Sequence, residues 1–102
     1  MRPAVRALLD LGPLPSSANA EPELLEEFEK RLKRITRPVT PAETRALCAL
    51  FGPDECFGLA WSLLGLIETA PGGVPFAQPP GPEENEWIQR LWRRAHREPG
   101  DS

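Results

Sequence analysis

The sequence predicts an all-α chain, and three observations carry that expectation. Four segments have recognisable helix starts and stops. No stretch shows the period-two alternation of β-branched residues that a strand needs. One segment, FGLAWSLLGLIE at 57–68, is apolar on almost every side. With 102 residues, 40% hydrophobic and 26% charged, the chain has material for one core and not for two. The expected architecture is a compact bundle of four main helices, at about 22–35, 41–51, 54–70 and 83–97, with the third buried at the centre and an irregular N-terminal arm.

Residues 1–20 hold at most a short helix around Pro3 to Leu9. After it comes LGPLPSSANA, whose proline, serine and asparagine read as a linker or a loosely attached arm. Residues 21–98 form the single helical domain, and 99–102 are a disordered tail. The first main helix opens on Pro22 and carries Leu24, Leu25, Phe28, Leu32 and Ile35 on one stripe. Acids fill its first half and bases its end, as the helix dipole favours.

The second helix opens on Thr40-Pro41-Ala42-Glu43, a capping box in which the hydroxyl and the carboxylate each satisfy an orphan backbone donor. Gly52 in a left-handed cap and Pro53 after it should end this helix at Phe51. Ala46, Leu47, Leu50 and Phe51 point inward. Asp54 is then the natural N-cap of the third helix, which Pro71-Gly72-Gly73 stops. VPFAQPPGP, nine residues with four prolines, is too stiff and too poor in donors for a helix or a strand. The fourth helix starts near Pro82 or Glu83 and turns Trp87, Ile88, Leu91, Trp92 and Ala95 to one face. Laid antiparallel to the first, it would bring Arg90, Arg93, Arg94 and Arg97 near Glu21, Glu23, Glu26 and Glu27.

Within the third helix Gly58, Ser62, Gly65 and Thr69 recur at i, i+4, i+7 and i+11, a narrow stripe of small side chains. Each interior glycine costs about 1 kcal/mol against alanine. Burying Phe57, Leu59, Trp61, Leu63, Leu64, Leu66 and Ile67 at about 2 kcal/mol apiece offsets that, on the order of 14 kcal/mol as an upper bound. The stretch therefore reads as a central helix whose small stripe lets a neighbouring backbone approach. From Cys56 to Ile67 there are only 12 residues, against the ~20 needed to span hydrocarbon. The same stripe offers a second reading, a homodimer docked through Gly58, Ser62, Gly65 and Thr69.

The chemistry-bearing residues are few. The N-terminus fails as an export signal because Arg6, Asp10, Pro13 and Pro15 break the apolar run, so a cytoplasmic chain with free, buried Cys48 and Cys56 is expected. His96 lies in an arginine-rich helix end with no nucleophile beside it in sequence. Cys48, Cys56 and His96 show no paired metal-ligand spacing, and no phosphate-cradling loop is present, so neither metal nor cofactor is implied. Glu68 stands in the last turn, where the dipole disfavours its charge. It either reaches solvent or is held by an arginine such as Arg45, or is offered to a partner.

With a net charge of −3, nucleic acid has no overall attraction to exploit; the clusters KRLKRITR at 30–37 and RLWRRAHR at 90–97 are balanced by acids in their own helices. The expected function is therefore a non-catalytic protein–protein interaction module, an adaptor, inhibitor or small subunit. It would act through Val74 and Phe76 of the proline-rich loop, the Trp87 and Trp92 edges, and Glu68. A helical nucleic-acid module using the two basic clusters is the alternative reading, and a small enzyme subunit the third.

Overall fold

Proline opens three of the five α-helices found among the described residues, at the position where its missing N–H costs nothing and its fixed φ suits the turn. The computed structural model describes residues 1–71 and 78–96. The helices are α1 (Pro3–Leu9), α2 (Pro22–Lys33), α3 (Pro41–Leu47), α4 (Leu59–Ile67) and α5 (Glu86–Ala95), with a 3-10 turn, Cys48–Leu50, continuing α3. There is no strand among the described residues, so the chain is all-α. Among the described residues the α-helices number five rather than four because the N-terminal segment is one of them.

Residues 1–20 are not a loose arm. A seven-residue helix has no stability of its own. Packing supplies it: Val5 and Leu8 of α1 are fully buried, and Leu14 joins the same core. Arg31 of α2 donates to the Ala7 carbonyl at 2.6 Å, capping the end of α1. Further along, Leu14 N donates to the Leu50 carbonyl at 2.8 Å, and the Ser17 hydroxyl donates to Asp54 at 2.7 Å. Composition marked these residues as linker, but they are stitched across the 50–54 corner.

The capping box of α3 forms as its spacing predicts. Glu43 N donates to Thr40 Oγ1 at 3.1 Å, and Thr40 N donates to Glu43 Oε1 at 2.9 Å. Gly52 does not take the left-handed cap assigned to it. Its role is close approach: a Cβ there would lie 2.9 Å from the Leu14 carbonyl carbon and nearer still to its oxygen.

The largest departure is the start of α4. Asp54 does not cap it. Its carboxylate accepts from Ser17 and, at 2.9 Å, from Cys56 N, closing a turn of the kind aspartate favours. Cys56, Phe57 and Gly58 then follow at φ 46°, 54° and 89°, a left-handed run that no right-handed helix can include. The helix therefore begins at Leu59. It packs on α2, α3 and α5 through Leu59, Ala60, Leu63, Leu64, Leu66 and Ile67.

One side of α4 stays open, which corrects the expectation of a helix wrapped all round. Phe57 and Trp61 are 69% and 42% exposed. Among the described residues nothing lies within 4 Å of a Cβ built at Gly58 or Gly65, so no described backbone segment uses the small-residue stripe there. Thr69, its last member, is engaged internally: its hydroxyl donates to the Leu66 carbonyl and accepts from Val39 N.

Helix α5 starts later than its sequence suggests, because Asn85 caps it, accepting from Trp87 N at 2.8 Å while its amide donates to the Gly52 carbonyl at 2.9 Å. Its main partner is α4. The end-to-end charge match with α2 is not made by the described residues: Arg90 pairs with Glu86, Arg94 with Glu68, and Glu27 with Arg31. Arg97 lies outside the described residues, as does the tail at 99–102.

Candidate functional site

Two surface features adjoin α4, and both include residues that sequence patterning assigns to the core. The first is a groove of about 500 Å³ between the end of α2 and the open side of α4. Leu32, Leu59, Leu66 and the exposed Phe57 supply apolar lining, and Glu29, Lys33 and Arg37 supply charge of both signs. Phe57 is costly there on two counts. A bulky residue at φ 54° strains the backbone, and an exposed ring gains nothing from burial. The turn itself is well held, since Cys56 is buried and bonded to Asp54. The ring is thus presented on a rigid support.

The second feature is a seam between α4 and α5. Trp61 meets Trp87 edge-on with centroids 4.9 Å apart, and Phe51 stacks on Trp87 at 6.2 Å. The Arg90 guanidinium lies over both indoles, 5.2 Å from Trp61 and 4.8 Å from Trp87, while its Nη2 donates to Glu86 at 2.8 Å. Trp87 Nε1 and Arg90 Nε are buried without a partner among the described residues. A buried donor without a partner is a cost of about 1–3 kcal/mol. Trp87 is only 2% exposed, so its surface is reached through Trp61 and Arg90 and not at a free edge.

Glu68 is held by an arginine, but by Arg94 of α5 and not Arg45. The pair is bidentate, Nε to Oε2 at 2.7 Å and Nη2 to Oε1 at 3.1 Å. It is exposed, so it contributes about 0–1 kcal/mol and chiefly fixes α5 against the end of α4. Trp92 is half-buried and stacks on His96 at 3.6 Å, and His96 Nδ1 donates to the Trp92 carbonyl at 3.0 Å. Val74 and Phe76 lie outside the described residues. The structure therefore groups Glu68 and Trp87 along the α4–α5 seam.

A second concavity, about 560 Å³, lies beside Cys48, Phe51, Pro80, Asn85 and Ile88. Burial pushes the Cys48 thiol up to about 11, so it stays protonated at neutral pH and is a poor nucleophile. Cys56 is raised too, by burial first and then by the Asp54 charge. Both cysteines are free thiols. No group of three or more potential metal ligands occurs among the described residues, and no described helix is long and apolar enough to cross a membrane.

Sequence patterning missed Phe57 as a surface residue because helical phasing was extended one turn too far. The signal was present: aspartate two residues before Cys56 and glycine at 58 spell a turn as readily as a cap. Compared with known proteins, the chain matches no family model, no curated protein and no solved structure.

Proposed function

We propose that the chain is a non-catalytic protein-binding module, an adaptor, inhibitor or small subunit, that engages its partner through the open side of α4. The observation that carries this reading is Phe57, an aromatic residue that is 69% exposed and sits in left-handed backbone. Nothing in the stability of the fold favours phenylalanine there, and strained, exposed positions of this kind accompany contact surfaces. The groove beside it, part apolar and part charged, and the Trp61–Arg90 seam around the same helix extend the surface, the seam with residue types that anchor interfaces. Val74, Phe76 and Trp92 belong to the same reading as further contact points, and the free thiols suit a reducing, cytoplasmic setting.

A nucleic-acid role would draw on the basic clusters. In each of them bases already face carboxylates: Arg31 to Glu27, Lys33 to Glu29, Arg90 to Glu86 and Arg94 to Glu68. That leaves less charge for phosphate.

The test is capture from source lysate with the wild-type chain, Phe57→Ser and Trp61→Ala as baits, each washed at low and high salt. A polypeptide held by the wild type through high salt and lost by both variants supports the proposal. Retention of nucleic acid that salt releases, or of polypeptides that both variants hold equally well, contradicts it.

A further inference from the structure

We propose, resting on the protein-binding reading above, that the α2–α4 groove seats a second copy of this chain. In this two-fold pair Phe57 of each copy enters the other's groove, and the acidic half of each α2 lies along the basic half of the other.

Three relationships lead to this occupant. Knob and hole lie side by side on one chain: the exposed Phe57 is itself part of the lining of the groove, with Leu32, Leu59 and Leu66. A rotation that seats one Phe57 in the facing groove then seats the other as well, which is the property of an isologous interface. The groove also opens onto Gly58 and Ser62, small residues at the start of α4, and no element among the described residues occupies it.

The charges favour a second copy over a partner of one sign. Glu29, Lys33 and Arg37 border the groove, and Glu26 precedes Glu29 by one helical turn on the same face. Read along the chain, that edge is acid, acid, base, base. A uniformly acidic partner would meet Lys33 and Arg37 but be repelled by Glu26 and Glu29, and a basic partner would suffer the reverse. The antiparallel copy matches both halves, with Glu26 facing Lys33 across the axis and Lys33 facing Glu26. Glu26 and Arg37 have no ion pair among the described residues, and Lys33 holds Glu29 only through an exposed contact at 2.8 Å, which is readily exchanged.

The test is sedimentation equilibrium on the purified full-length chain over a wide concentration range. The expected result is a reversible monomer–dimer equilibrium. Phe57→Ser and Ser62→Arg should each weaken it at least about tenfold, as loss of an interface anchor does. Both positions are exposed, and circular dichroism should show the wild-type helix content in each variant. Glu26→Lys and Lys33→Glu should each weaken the dimer by like-charge opposition, and the double swap should restore it. Three results overturn the proposal: a wild-type monomer at every concentration, a dimer indifferent to Phe57→Ser and Ser62→Arg, or a double swap no tighter than the single ones. A monomeric wild type that still loses a lysate partner on Phe57→Ser refutes self-association and leaves the protein-binding reading standing. The reverse pattern, a dimer sensitive to these variants with no lysate partner, makes the second copy the partner.

Discussion

Arg2 and Glu43, far apart in the chain, clamp the start of α1 to the start of α3. Arg2 N and Nε both donate to Glu43 Oε2, at 3.2 and 2.9 Å, and Nη2 donates to Oε1 at 3.0 Å. With the Thr40 N–H as a fourth donor, a carboxylate whose residue is 0% exposed has its charge fully answered. The same guanidinium reaches Thr36 Oγ1 at 2.6 Å, so a third segment hangs on it.

The clamp predicts how the fold meets acid. Arg2's hydrogen bonds, helped by the Thr40 N–H and opposed by burial, hold the Glu43 carboxyl down at about 2, against an ordinary 4.5. A carboxyl lowered in the folded state contributes stability that is fully present above about 4.5 and is lost as pH falls from there toward 2. Asp54, lowered by the Ser17 hydroxyl and then by backbone donors, adds loss of the same sign. Allowing for the water that reaches Arg2, the Glu43 contribution is on the order of 1–2 kcal/mol. Urea midpoints should be level above about pH 5 and fall steadily below it. In Arg2→Met the protein should be less stable at neutral pH, and its acid limb shallower. An acid limb of unchanged slope would count against the clamp.

Two glycines of one stripe should respond oppositely to alanine. Gly65 is inside α4 with nothing within 4 Å of a Cβ, so Gly65→Ala should stabilise by about 0.5–1 kcal/mol. Gly58 has the same free space but φ 89°, so Gly58→Ala should destabilise by about 1–2 kcal/mol. Denaturant titration of both variants checks the pair of signs. Equal signs would mean that α4 does not begin at Leu59.

Gly52→Ala should be the harsher change, because the new methyl would strike the Leu14 backbone and not a side chain that can turn away. A loss of about 1–3 kcal/mol is expected. Amide exchange at Leu14, whose N–H is bonded to the Leu50 carbonyl, should quicken more than exchange within α2. Uniform quickening would place the damage elsewhere.

Local signals explain what was legible in the sequence. Pro22 and the acid-to-base gradient mark α2, and Thr40-Pro41-Ala42-Glu43 marks α3, because each acts within one turn of its own helix. Glu43 shows the limit. Its capping role is readable three residues away, but the Arg2 clamp depends on tertiary contact across 41 positions. The burial of α1 was hidden likewise, since Val5 and Leu8 look too few for a core until Leu14 and α2 join them. At Asp54 the sequence reads as a helix cap, whereas its carboxylate closes a turn on Cys56 N and also accepts from the distant Ser17, which local spacing does not reveal. For the candidate surface, Glu68 and Trp87 were named, but Arg94 and Trp61 beside them depend on how α5 settles on α4.

Phe57 carries the functional account, so the most direct measurement replaces it with a residue better suited to its backbone. Asparagine tolerates left-handed conformation, and Phe57→Asn also removes an exposed ring. The account predicts a variant that is about 0.5–1 kcal/mol more stable to denaturant and no longer associates with its partner. A variant that unfolds more easily than the wild type, or that still binds as tightly, would show that Phe57 serves the fold and not a contact.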